Sequence, residues 1–132
     1  MTRRKIFTLT KANRTLPLVQ RVVRDIREKY VALQVIRRSQ AQLSEDEIAA
    51  REHEAFQLEG QIFAHVSELN AIGCELKDYE KGLIDFYADK GGEIIYLCWM
   101  LGEDDIQFWH PLEGGFAARQ PVSALPRATL GQ

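Results

Sequence analysis

Apolar residues recur at intervals of three and four along Val19, Val22, Val23, Ile26, Tyr30, Leu33 and Ile36, the spacing that lines one side of an α-helix. Upstream, Thr10 is a plausible N-cap for a helical turn through Thr15, and Pro17 interrupts it. Because proline is accepted in a first turn, a longer helix is expected to restart with Thr15 or Leu16 as its cap and to run to about residue 42. Ser44 followed three residues on by Glu47 is a capping box, so a second helix starts there. Its apolar positions are Ile48, Ala55, Phe56, Ile62, Phe63, Val66, Leu69 and Ile72, and Gly73 falls where a left-handed C-cap belongs. Two long helices joined by a tight turn make an antiparallel pair, which leaves part of each stripe for something else to cover.

After Gly82 the period changes from 3.6 to 2. Strands are expected over Leu83 to Tyr87, Glu93 to Leu101 and Ile106 to His110, with turns at Asp89 to Gly92 and at Glu103-Asp104. The fold class read from these patterns is α+β, a long antiparallel two-helix hairpin followed by a three-stranded antiparallel β-meander. One domain over 1–122 is expected: hairpin 10–73, meander 83–110, and a closing loop 111–122 in which Gly114-Gly115 lays Phe116 back on the body. Residues 123–132 read as a flexible tail.

With a two-residue turn at Glu103-Asp104, Leu97 faces His110; with a four-residue turn at 89–92, Ile84 faces Leu97. The face expected to pack on the helices then carries Ile84, Phe86, Ile95, Leu97, Trp99, Leu101, Ile106, Phe108 and His110. The other carries Leu83, Asp85, Tyr87, Ile94, Tyr96, Cys98, Met100, Gln107 and Trp109, too apolar to stand bare, so Tyr87, Tyr96, Met100 and Trp109 become candidate interface residues. In this register Asp85 and His110 point to opposite sides and do not pair, unless one turn differs by a single residue.

Charge adds an asymmetry. Residues 1–42 hold 11 Lys and Arg against 2 Asp and Glu, residues 43–82 hold 3 against 10, and residues 83–132 hold 3 against 7. A basic first helix facing an acidic second one suits complementarity within a hairpin or between chains better than nucleic-acid binding, since the net charge is -2. The two cysteines are too few for a disulfide framework, the start of the chain has no apolar run of signal-peptide kind, and no segment approaches a membrane span. The expectation is a cytoplasmic protein with free thiols.

No glycine-rich phosphate loop is present, and His53 and His65 lack the helical metal-site spacings. His110, Cys98 and Cys74 are the candidate metal ligands, if the chain brings them together. Lys77 to Gly82 reads as a solvated junction or as the frame of a cleft between helices and sheet; in the second case Lys77, Asp78, Glu103, His110 and Arg119 are its polar residues. Asp85 and Tyr96 share a face and could form a small polar pocket.

Phe7-Thr8-Leu9 with Ala12-Asn13 and Leu16-Pro17, Leu76-Lys77-Asp78 after Gly73, Gly82-Leu83-Ile84-Asp85-Phe86, Tyr96-Leu97-Cys98-Trp99 with Leu101-Gly102-Glu103, and Trp109-His110 with Gly115-Phe116 form a set of motifs. In these, residues 5–122 resemble a family of small bacterial proteins known as a domain of unknown function. Tyr87 and Met100 depart from the pattern, where proline and a basic residue are looked for. The resemblance implies the architecture and no activity, cofactor or catalytic residue.

Three function classes remain open. One is a non-enzymatic interaction or assembly module that self-associates, as a dimer held by coiled-coil-like helices or by the second sheet face, with another protein as a possible partner. Another is a small-ligand or metal-binding protein, with or without enzymatic activity, using the helix-sheet cleft, with its cofactor unknown. The third is nucleic-acid binding through Arg21, Arg24, Arg37 and Arg38, the least favoured on charge.

Overall fold

The structure, a computed structural model of the chain, describes residues 5–38 and 42–131. Helix α1 spans Leu9–Arg38 and helix α2 spans Glu45–Ile72, packed as an antiparallel hairpin. Strands β1 (Cys74–Asp78), β2 (Leu83–Lys90), β3 (Glu93–Met100), β4 (Phe108–Pro111) and β5 (Gln120–Pro121) follow in one antiparallel sheet of order β1-β2-β3-β4-β5. A short helix, α3 (Arg127–Leu130), ends the described chain. No described helix is long and apolar enough to cross a membrane.

The first stripe is buried as its period predicts: Val19, Val22, Val23, Ile26, Leu33 and Ile36 are all in the core, with Tyr30 packed against its edge. The expected break at Pro17 does not occur. Proline stands inside a single helix whose first turn is capped earlier, the Lys11 N–H donating to Thr8 Oγ1 at 3.2 Å. The expected run to about residue 42 crosses 39–41, which lie outside the described residues; α1 is described over Leu9–Arg38. At α2 both local signals hold. The Ser44–Glu47 capping box is formed, and Gly73 sits at φ 115° with its N–H on the Leu69 carbonyl.

The α2 stripe is narrower than expected. Ala55, Ile62 and Leu69, seven residues apart, are buried, whereas Phe56 and Phe63 are each 73% exposed. A helix that packs on one neighbour buries only a seam, and residues one position around from that seam face water.

The sheet differs in one added strand at each side and in two registers. β1 occupies a stretch expected to be a junction, and its alternation places Cys74 and Leu76 inward. The β2–β3 turn is the two residues Gly91-Gly92, not four, so Phe86 pairs with Leu97 and Ile84 with Trp99. That shift is two residues and preserves the faces. Between β3 and β4 the shift is one residue: Tyr96 pairs with His110 and Leu97 with Trp109. The chain does not turn tightly at Glu103-Asp104. It loops through 101–107, held by Met100 N–H to Glu103 Oε1 (2.6 Å), Trp99 Nε1–H to the Glu103 carbonyl (3.0 Å) and Ile106 N–H to Asn13 Oδ1 (2.9 Å).

One residue of slip exchanges the β4 side chains. Trp109 moves into the core with Ile84, Phe86, Ile95, Leu97 and Trp99, which removes it as an interface residue, while Phe108 and His110 move to the outer face. The segment from Ser123, expected to fray, is seated on the body. Leu125 and Thr129 are buried, Thr129 Oγ1–H donates to the Asp89 carbonyl at 2.7 Å, and Thr10 Oγ1–H to that of Leu130 at 2.8 Å.

Candidate functional site

On the outer face the pairings set two rows across the sheet. Glu75, Asp85, Cys98 and Phe108 form one; Tyr87, Tyr96 and His110 form the next. Strand periodicity puts all seven side chains on one side. Asp85, Tyr96, Cys98 and His110 are buried. Their roof is the stretch after β4, which turns at Gly114-Gly115 and comes back with Phe116 and Arg119. A Cβ on Gly114 would sit 2.5 Å from that of Ala118, so this turn closes only around glycine.

Against the expectation that they point apart, Asp85 and His110 are hydrogen-bonded, Nε2 to Oδ1, at 3.0 Å. The cause is the β3–β4 register. His110 Nδ1 lies 2.7 Å from the Pro111 carbonyl, which can only accept, so Nδ1 carries a proton. Burial pushes the Asp85 carboxyl up, and His110 and the Cys98 thiol beside it only partly offset this. Burial pushes the Cys98 thiol up to about 12, and the Asp85 charge adds to the shift. As it stands Cys98 is a neutral thiol and not a ready nucleophile.

Around this buried group are two polar clusters. Tyr96 OH accepts a hydrogen bond from Lys77 Nζ at 3.4 Å and donates to Tyr87 OH at 3.3 Å; Tyr87 OH donates to Glu75 Oε1 at 2.6 Å. Glu75 also pairs with Lys77 at 2.7 Å. Burial disfavours the Glu75 charge, yet the bonds from Lys77 and Tyr87 outweigh it and hold its carboxyl below the usual range. At the Cys98 end, Arg119 donates to both oxygens of Glu103 (3.0 and 2.6 Å) and to the Cys98 carbonyl (3.2 Å). Its guanidinium lies 4.3 Å from the Phe108 ring centre and 5.0 Å from that of Phe116.

Between sheet and roof is a cavity of about 350 Å³ whose lining includes Lys77, Asp78, Asp85, Tyr96 and His110. These five expected site residues are therefore brought together, on the sheet face turned away from the helices and not in the expected cleft between helices and sheet, and Glu103 and Arg119 stand beside them as a tie for the roof. Lys81, Leu112 and Glu113 also line the cavity and gave no signal in sequence beyond their place near Gly82 and Gly114. Glu75 had one: the inward-outward alternation of Cys74 to Lys77. A wider depression, about 600 Å³, lies against Arg24, Arg27, Glu28, Val31, Leu101 and Gly102. Its side chains are mostly exposed and converge on no buried polar group, so size alone does not make it the better site.

Of the metal-ligand candidates, Cys98 and His110 come together and Cys74 does not. Cys74 faces the core from the other side of the sheet, its sulfur 3.5 Å from the Leu69 carbonyl. Asp85 stands in its place: a donor atom from each of Asp85, Cys98 and His110 lies within 4.8 Å of the others. Among the interface candidates Tyr87 and Met100 remain half-buried on the outer side, while Tyr96 is 7% exposed and covered by its own chain.

Fold and site define an α+β protein in which a helical hairpin backs an antiparallel meander with a roofed polar pocket on its far face. Residues 5–122 match the family described as uncharacterized conserved protein (DUF2203), and the chain belongs to that family. No curated protein and no solved structure matches it.

Proposed function

We propose that the chain is a small-ligand-binding protein and that its site is the pocket between the outer sheet face and the segment 112–119. The observation that carries this reading is the hydrogen-bonded Asp85–His110 pair at the pocket floor, both residues almost wholly buried. A fold does not need such a pair for stability, because well-packed apolar residues of similar volume do as well or better. Buried titratable groups that converge on a cavity are the ordinary mark of a binding site. A cavity of about 350 Å³ suits a small metabolite. Ammonium groups from Lys77 and Lys81, carboxylates from Asp78 and Glu113 and the Tyr96 hydroxyl suit a polar ligand bearing donors and acceptors together.

Ligand-observed NMR against a panel of small polar metabolites tests this. Binders are expected, and Leu112→Trp, which fills the rim of the pocket, should abolish their signal without altering the fold. Binding that ignores Leu112→Trp, or none across the panel, contradicts the reading.

A second reading, self-association through the hairpin, is favoured by Phe56 and Phe63 at 73% exposed on α2, with Val31 and Val35 half-exposed on α1. A second copy is the occupant that fits, since the basic α1 of one chain complements the acidic α2 of another, as Arg37 and Glu59 already pair within one. We place the dimer in a reducing cytoplasm, where Cys74 and Cys98 stay free thiols. Sedimentation velocity should give a dimer that Phe63→Glu converts to monomer; a monomeric parent removes this reading.

A further inference from the structure

Asp85 and His110 at the pocket floor stand beside the buried Cys98, three side chains of different donor chemistry, and the protons they hold can be counted. His110 Nδ1–H is committed to the Pro111 carbonyl, one further proton lies between His110 Nε2 and Asp85 Oδ1, and one sits on Cys98 Sγ. The first is tied to the backbone. The other two belong to the cluster itself, whose three donor atoms lie within 4.8 Å of one another. Taking both away leaves an imidazole lone pair, a carboxylate and a thiolate around one point, with a charge that a single divalent cation cancels. Exchange of two protons for that cation leaves the buried cluster as neutral as before, so no uncompensated charge is created in a dry site.

We propose that Asp85, Cys98 and His110 bind a divalent transition-metal ion of zinc's class, with a fourth coordination position open to the pocket. Sulfur and imidazole donors select against magnesium and calcium, which take oxygen. Three protein ligands beside a cavity is the arrangement in which a metal keeps one place for water or a bound molecule. The Nδ1–H bond to Pro111 fixes the ring so that Nε2 is the nitrogen facing the site, the orienting contact that metal-bound histidines ordinarily have. At the other end Arg119 grips the Cys98 carbonyl and is itself neutralised by Glu103. Lys77 and Tyr96 face the cluster from the His110 side, with Lys81 and Glu113 at the pocket rim. This deepens the pocket reading and rests on it only for the route of entry and for whatever takes the open position.

Cobalt provides the probe, since its thiolate charge-transfer and tetrahedral d–d bands report both sulfur ligation and geometry. Chelator-stripped protein titrated with Co²⁺ should take up one ion per chain, show the thiolate band and release two protons per ion. Cys98→Ser should lose the band, Cys74→Ala should keep it, and His110→Ala should weaken binding at least about 10-fold. Should Cys98→Ser fail to fold, the parent protein still decides: Zn²⁺ should shield Cys98, and not Cys74, from alkylation under mild denaturation. No uptake, uptake without the thiolate band, or a band that disappears with Cys74 overturns the proposal. The metabolite panel repeated on stripped protein separates the two readings. Small-molecule binding with no Co²⁺ uptake removes the metal and leaves the pocket, whereas Co²⁺ uptake with no small-molecule binding removes the pocket ligand and supports the metal.

Discussion

The inner and outer faces of the sheet are carried by the same strands, yet they bury different chemistry. The inner face is hydrocarbon and indole, from Ile84 and Phe86 through Leu97 and Trp99 to Trp109, closed by the apolar side of the hairpin. The outer face buries Asp85, Tyr96, Cys98 and His110 under an irregular roof secured by Arg119. Hydrophobic burial accounts for the first without further assumption. It does not account for the second, where burying polar groups costs free energy unless they are matched. A fold that needed only stability could have made both faces alike.

The largest effect expected from breaking this contrast is on the inner face. Trp99→Ala removes a fully buried indole and should cost about 3–5 kcal/mol, read as a lower urea midpoint with unchanged slope.

The cysteines sharpen it, since one lies on each face. Cys74, in the core, has its thiol pushed from 9.0 up to about 12, chiefly by burial. A group whose folded pKa is raised contributes stability that is full below the unfolded value and is lost as pH rises toward the folded one. Between pH 9 and pH 11 the protein should therefore lose about 2 kcal/mol through this thiol, and urea titrations of Cys74→Ala should lack that share of the alkaline decline.

The smallest net effect belongs to the outer face. Asp85→Leu or His110→Leu alone should cost about 1–3 kcal/mol by orphaning its partner. The double replacement should return stability to within about 1 kcal/mol of the parent. A double variant as unstable as the sum of the singles would make the pair a structural tie and dissolve the contrast.

Legibility in the sequence followed the range of the interactions involved. The α1 stripe, the Ser44–Glu47 box and the Gly73 cap rest on contacts within a few residues, and each is formed where its spacing places it. The narrow α2 seam was not legible, because whether Phe56 and Phe63 are covered depends on what packs beside the helix. β1 was hidden behind the helix cap, its Glu75 and Lys77 resembling solvated charges although they pair over Tyr96 and Tyr87. The site itself turned on the β3–β4 register, which is set from a distance. Asn13, in the first helix, receives the Ile106 N–H, and the Glu103 side chain folds back on the Met100 N–H. A two-residue hairpin was the economical reading of Glu103-Asp104, and its one-residue error put His110 on the wrong face. The residues of the pocket could be named; their convergence could not.

The pocket depends on that register, which can be measured directly. Cross-strand backbone contacts by NMR in isotopically labelled protein should connect Tyr96 with His110 and Leu97 with Trp109, and the His110 ring should carry its proton on Nδ1. Contacts that connect Leu97 with His110 instead would return His110 to the core side, separate it from Asp85 and contradict both the pocket and the metal site.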